Sequence, residues 1–146
     1  MITGTLAGEV GGLWCNACMS STEPLSIRLA AVSLDAADPL PEAEFWRDLL
    51  GLEIIWQNDD FVALRGAAVL ITVQRVAGHR LPQWPTGDVA KQLHFELAVT
   101  DLDAGERTAL ALGATLAAVQ PSPDRWRVPV DPAGHPFCLS NQIPEP

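Results

Sequence analysis

His94 and Glu96 stand two residues apart in the stretch Leu93-His94-Phe95-Glu96-Leu97-Ala98-Val99-Thr100, where apolar and polar positions alternate. Alternation at period two predicts a half-buried strand, with Leu93, Phe95, Leu97 and Val99 on one face and His94, Glu96, Ala98 and Thr100 on the other. An imidazole and a carboxylate then share a face about 6.6 Å apart, two strand residues at roughly 3.3 Å each. Such a pair suits proton transfer, with His94 as acid or base and Glu96 either orienting it or serving as the base. It equally suits contact with a bound organic molecule. The plainer alternatives, a hydrogen-bonded structural imidazole and a solvated rim carboxylate, stay open.

Other side chains with chemistry are scattered. Cys15-Asn16-Ala17-Cys18 has the spacing of a redox pair or half a zinc site, but no second pair and no preceding strand accompany it. Cys138 reads as a small buried hydrophobe, since no cation stands near it in sequence to hold a thiolate. His135, in a Gly-His-Pro turn, reads as exposed turn chemistry. Five Trp and four Phe supply aromatic surface, and Trp56, Trp84 and Trp126 are the candidates for a ligand wall. Trp126 alternates with Arg125 and Arg127, so it either stacks on a ligand or packs in the core. Trp84 lies in a Pro-rich connector and either lids a cavity or meets a partner subunit.

The totals exclude several classes. Nine cations against eighteen acidic residues leave a net charge of −9 with a single lysine, which argues against nucleic acid and anionic membranes as partners. No apolar run approaches a membrane span and no basic-then-apolar leader opens the chain, so a cytoplasmic protein is expected. Its 146 residues, 48% of them hydrophobic, suffice for one domain with a substantial core. Three cysteines without an export signal make a disulfide framework unexpected.

The elements that must carry His94 and its neighbours follow a repeated order. Residues 1–24 read as an N-terminal extension, with Met19 a possible natural start, and residues 25–143 as the domain. The first unit, 25–77, predicts strand Ile27–Leu34, helix Pro39–Leu50 and strands Glu53–Asn58, Phe61–Arg65 and Val69–Val76. Asp38 caps the helix, Pro39 opens it and Gly51 stops it. Ala43, Trp46 and Leu50 form its apolar stripe with Phe45 and Leu49 beside them, leaving Glu42, Glu44, Arg47 and Asp48 to water. Residues 78–91 form a connector rich in Pro and Gly. The second unit, 92–143, predicts strand Leu93–Val99, helix Leu102–Leu112 capped by Thr100 or Asp101, and strands Thr115–Gln120, Trp126–Val130 and Pro136–Asn141. The chain is thus a βαβββ pattern written twice, an α+β fold in which a curved mixed sheet encloses a central cavity.

Four motifs carry a family resemblance: Glu44-Phe45-Trp46-Arg47-Asp48-Leu49-Leu50-Gly51-Leu52, Leu93 to Asp103, Leu112-Gly113-Ala114, and Asp131-Pro132-Ala133-Gly134-His135-Pro136-Phe137. With the duplicated pattern they resemble the vicinal-oxygen-chelate superfamily of glyoxalases, bleomycin-resistance proteins and extradiol dioxygenases, and more narrowly its glyoxalase-like domain subgroup. Metal-using members place His or Gln on the first strand, Glu late in the first unit, His on the strand opening the second and Glu on the last. Of these the resemblance carries over only His94. Ala31 and Cys138 stand where two ligands are expected, and Gln74 is a weak donor in the first unit. A divalent ion wants at least three protein donors, so the resemblance implies no metal or, if one is held, the set His94, Gln74 and Cys138.

The resemblance therefore implies a protein that binds a small, partly aromatic organic molecule between its units without the usual metal, using Trp56, Gln74, Trp84, His94, Trp126 and Cys138. Whether it is an enzyme stays open. The alternative is a metal-dependent or His94/Glu96 acid–base lyase, isomerase or dioxygenase on a small carbonyl or aromatic substrate. A third possibility is an accessory domain with no ligand. Pairing into a homodimer is expected from the family.

Overall fold

The computed structural model describes residues 27–66 and 68–144, and the expectations for Cys15, Cys18 and a start at Met19 lie outside the described residues. The first unit holds β1 (Ala31–Ala36), α1 (Pro39–Leu50), β2 (Glu53–Gln57), β3 (Phe61–Arg65) and β4 (Leu70–Arg75). Its four strands lie in the order β1-β4-β3-β2. β1 runs parallel to β4, pairing Ala31 with Leu70 through Ala36 with Arg75, and the other pairs are antiparallel. A parallel neighbour needs a long crossover, which α1, β2 and β3 supply. β1 begins later than the apolar run suggests, because its ladder starts at Ala31 and leaves Ile27 and Leu29 exposed.

The second unit repeats this topology with shorter strands. β5 (Glu96–Ala98) pairs parallel with β9 (Cys138–Ser140), which pairs antiparallel with β7 (Trp126–Arg127). β8 (Pro129–Val130) pairs with β6 (Thr115–Leu116), and α2 (Leu102–Ala111) follows β5. Reading β7 and β8 as one strand interrupted at Val128 gives the first unit's order again. Prolines at 121, 123, 129 and 136 withdraw backbone donors, which shortens strands that sequence alternation alone would extend. The fold is α+β, two βαβββ units with mixed sheets.

The helix ends differ in their chemistry. Gly51 closes α1 at φ +64, where a side chain is strained. Asp101 caps α2 by accepting from the Ala104 N–H at 3.0 Å, so of the two cap candidates it is Asp101 that serves. Asp38 has the extended cap backbone but forms no side-chain cap bond, and its carboxylate lies 3.6 Å from Arg75 instead.

One core serves both units. Leu34, Val62, Leu64 and Val73 under α1 are continuous with Leu102, Ala109, Phe137 and Leu139 of the second unit. Trp46 joins them, packing edge-on against Phe95 at 5.0 Å and Phe137 at 5.1 Å, with Phe45 5.9 Å from Phe137. Such pairs add about 0.5–1.5 kcal/mol each beyond burial.

Three details depart from the sequence expectation. Leu93 is 64% exposed, because the ladder begins only at Glu96, whereas Phe95, Leu97 and Val99 pack on the core as expected. Glu42 is 1% exposed although its helical position assigns it to water. The second unit covers that side of α1, where Glu42 accepts from Trp46 Nε1 at 2.6 Å and from the Ala133 N–H at 2.9 Å. Leu50, expected on the apolar stripe, is 37% exposed in the last turn of α1.

Glu42 also faces Asp131, whose Oδ1 accepts from the His135 N–H at 2.7 Å and whose Oδ2 is buried without a donor among the described residues. Burial, and then the neighbouring Asp131, raise the Glu42 carboxyl from 4.5 to about 8, and burial displaces Asp131 upward as well. A shared proton between the two acids satisfies both.

Candidate functional site

The parallel register of β5 and β9 sets Glu96 beside Cys138, and the antiparallel register of β9 and β7 sets Ser140 beside Trp126. Ladder partners share a face, so these side chains line the side of the second sheet opposite the core. His94, just before the strand, joins them: its Nε2 lies 3.3 Å from Glu96 Oε1. Lys91 Nζ stands 3.3 Å from His94 Nδ1 and 4.6 Å from the centre of the Trp84 ring. Together Trp84, Lys91, His94, Glu96, Trp126 and Cys138 border a cleft of about 800 Å³. Its size lies within the range of small-molecule sites.

Lysine has donors only, so its contact makes His94 Nδ1 the acceptor and leaves the ring hydrogen on Nε2, directed at Glu96. Cys138 is half-buried; burial and the Glu96 charge push its thiol up, outweighing the opposite pull of Lys91. A thiol so placed is a poor nucleophile. The indole nitrogen of Trp84 is buried with no acceptor among the described residues.

Donor atoms of His94, Glu96 and Cys138 all lie within 4.8 Å of one another, so one His/Glu/Cys group could face a metal ion. Its present hydrogen bonds compete with that use. A zinc-type His ligand offers the lone pair of one nitrogen and donates the other N–H to an acceptor. Here Nδ1 faces Lys91 Nζ and Nε2 faces Glu96, so an ion would have to displace those contacts and take the proton of the Cys138 thiol on binding.

Five of the seven sequence candidates meet in this cleft: His94, Glu96, Trp84, Trp126 and Cys138. Two stand elsewhere. Gln74 donates to Asp35 Oδ1 at 2.8 Å on the exposed face of the first sheet, so Glu96 takes its place in the only three-donor group found among the described residues. Trp56 is half-exposed against Phe61, ring centres 5.6 Å apart. His135 is half-buried, not exposed turn chemistry: the turn at Gly134, φ +90, brings its Nε2 to the Asp35 carbonyl at 2.7 Å. Lys91 escaped the sequence reading. A strand through residues 91–94 would set Lys91 and His94 on opposite faces, and only the irregular entry to β5 lets them meet. Its one signal was being the chain's single lysine.

A second cleft of about 490 Å³ lies at the junction of the units and shares Lys91, His94, Pro136 and Phe137 with the first.

The glyoxalase-like domain family matches residues 31–140, three quarters of the chain. The chain belongs to the glyoxalase-like domain family. No curated protein matches it in sequence. Among solved structures, this glyoxalase-like protein is similar to a glyoxalase/bleomycin resistance protein/dioxygenase family enzyme from Burkholderia phytofirmans, with 20% identity and a TM-score of 0.62 over 80% of this chain and 100% of that one. The bleomycin-binding protein of Streptomyces verticillus, complexed with copper(II)-bleomycin, shares 22% identity, with a TM-score of 0.53 over 82% and 99% of the two chains. A fosfomycin resistance protein of Listeria monocytogenes, complexed with Mn(II) and 1S,2S-dihydroxypropylphosphonic acid, shares 16%, with a TM-score of 0.62 over 82% and 95%. Identities this low establish the shared fold, on which superfamily members do different chemistry.

Proposed function

We propose that this glyoxalase-like protein binds a small, partly aromatic organic molecule in the 800 Å³ cleft of its second unit, without a metal in the His94/Glu96/Cys138 group. The observation that carries this is the Lys91–His94 contact, which turns the family's matched histidine from a metal ligand into a hydrogen-bond donor held between Lys91 and Glu96. Trp84 and Trp126 offer flat apolar walls. The bleomycin-binding protein of similar fold supports the reading, being complexed with an organic ligand, copper(II)-bleomycin.

Neutral aromatic probes test this directly. 2-Naphthamide is expected to bind tag-free protein free of stoichiometric metal, and Trp126→Leu is expected to weaken it about tenfold or more. Stoichiometric zinc, nickel, iron or manganese in tag-free protein, or binding indifferent to Trp126→Leu, overturns the proposal.

A metal-dependent lyase, isomerase or dioxygenase is the second reading, favoured by the three donors within 4.8 Å. Lys91→Met separates the two. It frees His94 Nδ1 to carry the hydrogen, so zinc affinity is expected to rise in the variant if Lys91 is what blocks the group. We also propose a homodimer, in which the open first-unit face bearing Trp56 and Gln74 meets a second copy; a monomeric mass by light scattering at micromolar concentration overturns it. Among the described residues no helix is long and apolar enough to cross a membrane, and the cytoplasm is the proposed location.

A further inference from the structure

The junction cleft of about 490 Å³ has a lining unlike the rest of this acidic chain. Three imidazoles, His79, His94 and His135, border it, as do Arg80 and Lys91, against one carboxylate, Asp35. Those are all the histidines of a protein whose net charge is −9. Asp35 is partly engaged, since its Oδ1 accepts from Gln74 Nε2 at 2.8 Å. Arg80, by contrast, makes no ion pair or side-chain hydrogen bond among the described residues, and Lys91 contacts only the His94 ring nitrogen and the Trp84 ring.

The cleft is also held in shape before any ligand arrives. His79 Nε2 donates to the Ala133 carbonyl at 2.9 Å and His135 Nε2 to the Asp35 carbonyl at 2.7 Å, with ring centres 5.5 Å apart. The acceptors are carbonyls, so the tautomers are fixed and the rings are locked across the unit junction. Phe95, Val76, Val89 and Leu93 give the lining its accessible apolar part, and the buried Trp46, itself packed on Phe137, braces Phe95 edge-to-face. Preformed walls lower the ordering cost of binding.

We propose that this cleft is a second ligand site, adjoining the one on the second sheet at Lys91 and His94, and that it takes an organic monoanion: an aromatic body against Phe95, Val76, Val89 and Leu93 with its carboxylate beside Arg80 and within reach of Lys91. Most of the surface repels such a molecule, and this cleft draws it by local charge. An arginine fork suits a carboxylate in geometry as well as in sign. The volume accommodates a one- or two-ring acid.

Calorimetric titration of the full chain at low salt with 2-naphthoate, and with the neutral 2-naphthamide as its match, tests this. The acid is expected to bind wild type and to lose about tenfold or more in affinity in Arg80→Gln, the range of one charge-assisted hydrogen bond. High salt is expected to weaken the acid and spare the amide. Arg80 is exposed in the connector, so its substitution leaves the core untouched. Trp126→Leu, which alters the other cleft, is expected to leave the acid's affinity within about twofold. The proposal is overturned if the acid fails to bind, if Arg80→Gln has no effect on it, or if Trp126→Leu weakens it as much as Arg80→Gln does. Loss of acid binding beside intact, Trp126-dependent amide binding sinks this site alone and leaves the proposed function standing.

Discussion

Replacing Glu42 by Gln tests the physical account of how the two units are held together. In the folded protein burial keeps the Glu42 proton on to about 8, against 4.5 when the chain is open. Between those values the folded state holds a proton that the unfolded state has released, so stability falls as pH rises. Each pH unit across that window costs about 1.4 kcal/mol, and the whole window about 5 kcal/mol, of a total of roughly 5–15 kcal/mol for a domain. Asp131 is displaced in the same direction by burial, and the two acids titrate as a pair sharing one proton. The lowered carboxyls of Asp48 and Asp101, held by Arg47 and by the Ala104 N–H respectively, contribute stability that is lost only as pH drops below the ordinary carboxylate range. They do not mask the effect. Urea unfolding from pH 5 to 8 is expected to show the midpoint falling by about 0.5–1.4 M per pH unit, for slopes of 1–3 kcal/mol/M. Glu42→Gln removes the titration and lets the new amide donate to Asp131 Oδ2. It has only one oxygen for Trp46 Nε1 and the Ala133 N–H, so it is expected to be weaker than wild type at pH 5 by about 1–3 kcal/mol. The two curves should therefore converge or cross by pH 8. A wild-type midpoint that stays level or rises from pH 5 to 8, or a variant that keeps the slope, refutes the reasoning.

Further substitutions probe other parts of the structure. Leu139→Ala, deleting a fully buried side chain from the shared core, is expected to cost about 2–5 kcal/mol in chemical denaturation. Gly134→Ala places a Cβ at φ +90, 2.7 Å from Leu81 Cδ2 and 2.9 Å from Leu81 Cβ; Cδ2 can rotate away but Cβ is tied to the backbone, so the expected loss in the same assay is at least the backbone strain of about 1–3 kcal/mol. Asp101→Ala removes the α2 cap, and a fall of a few degrees in Tm by calorimetry is expected, with no change in 2-naphthamide affinity. Lys91→Met is expected to raise zinc affinity at the His94 group, read by competition with a chromogenic chelator, and an unchanged affinity counts against Lys91 as the blocking residue.

The sequence by itself determined the two-unit pattern and most element positions, because periodicity, caps and turn residues are local. Helix α1 runs over Pro39–Leu50 as its Asp-Pro opening and Gly51 stop require, and β3 has its expected bounds. It also singled out His94, since an imidazole two residues from a carboxylate on an alternating strand is legible without neighbours. What only the tertiary structure decided was every matter set by contact between the units. Glu42 looks like a water-facing helix residue until Ala133, 91 residues on, and the neighbouring Asp131 arrive to bury it. His135 looks like turn chemistry until its ring reaches the Asp35 carbonyl across the junction. Gln74 and Cys138 could be joined on paper, yet the sheets send them to different faces and leave Glu96 beside the thiol. Lys91 reaches His94 through an irregular backbone that no period encodes. Local pattern fixes which way a residue points within its own element, and long-range packing fixes what it finds there.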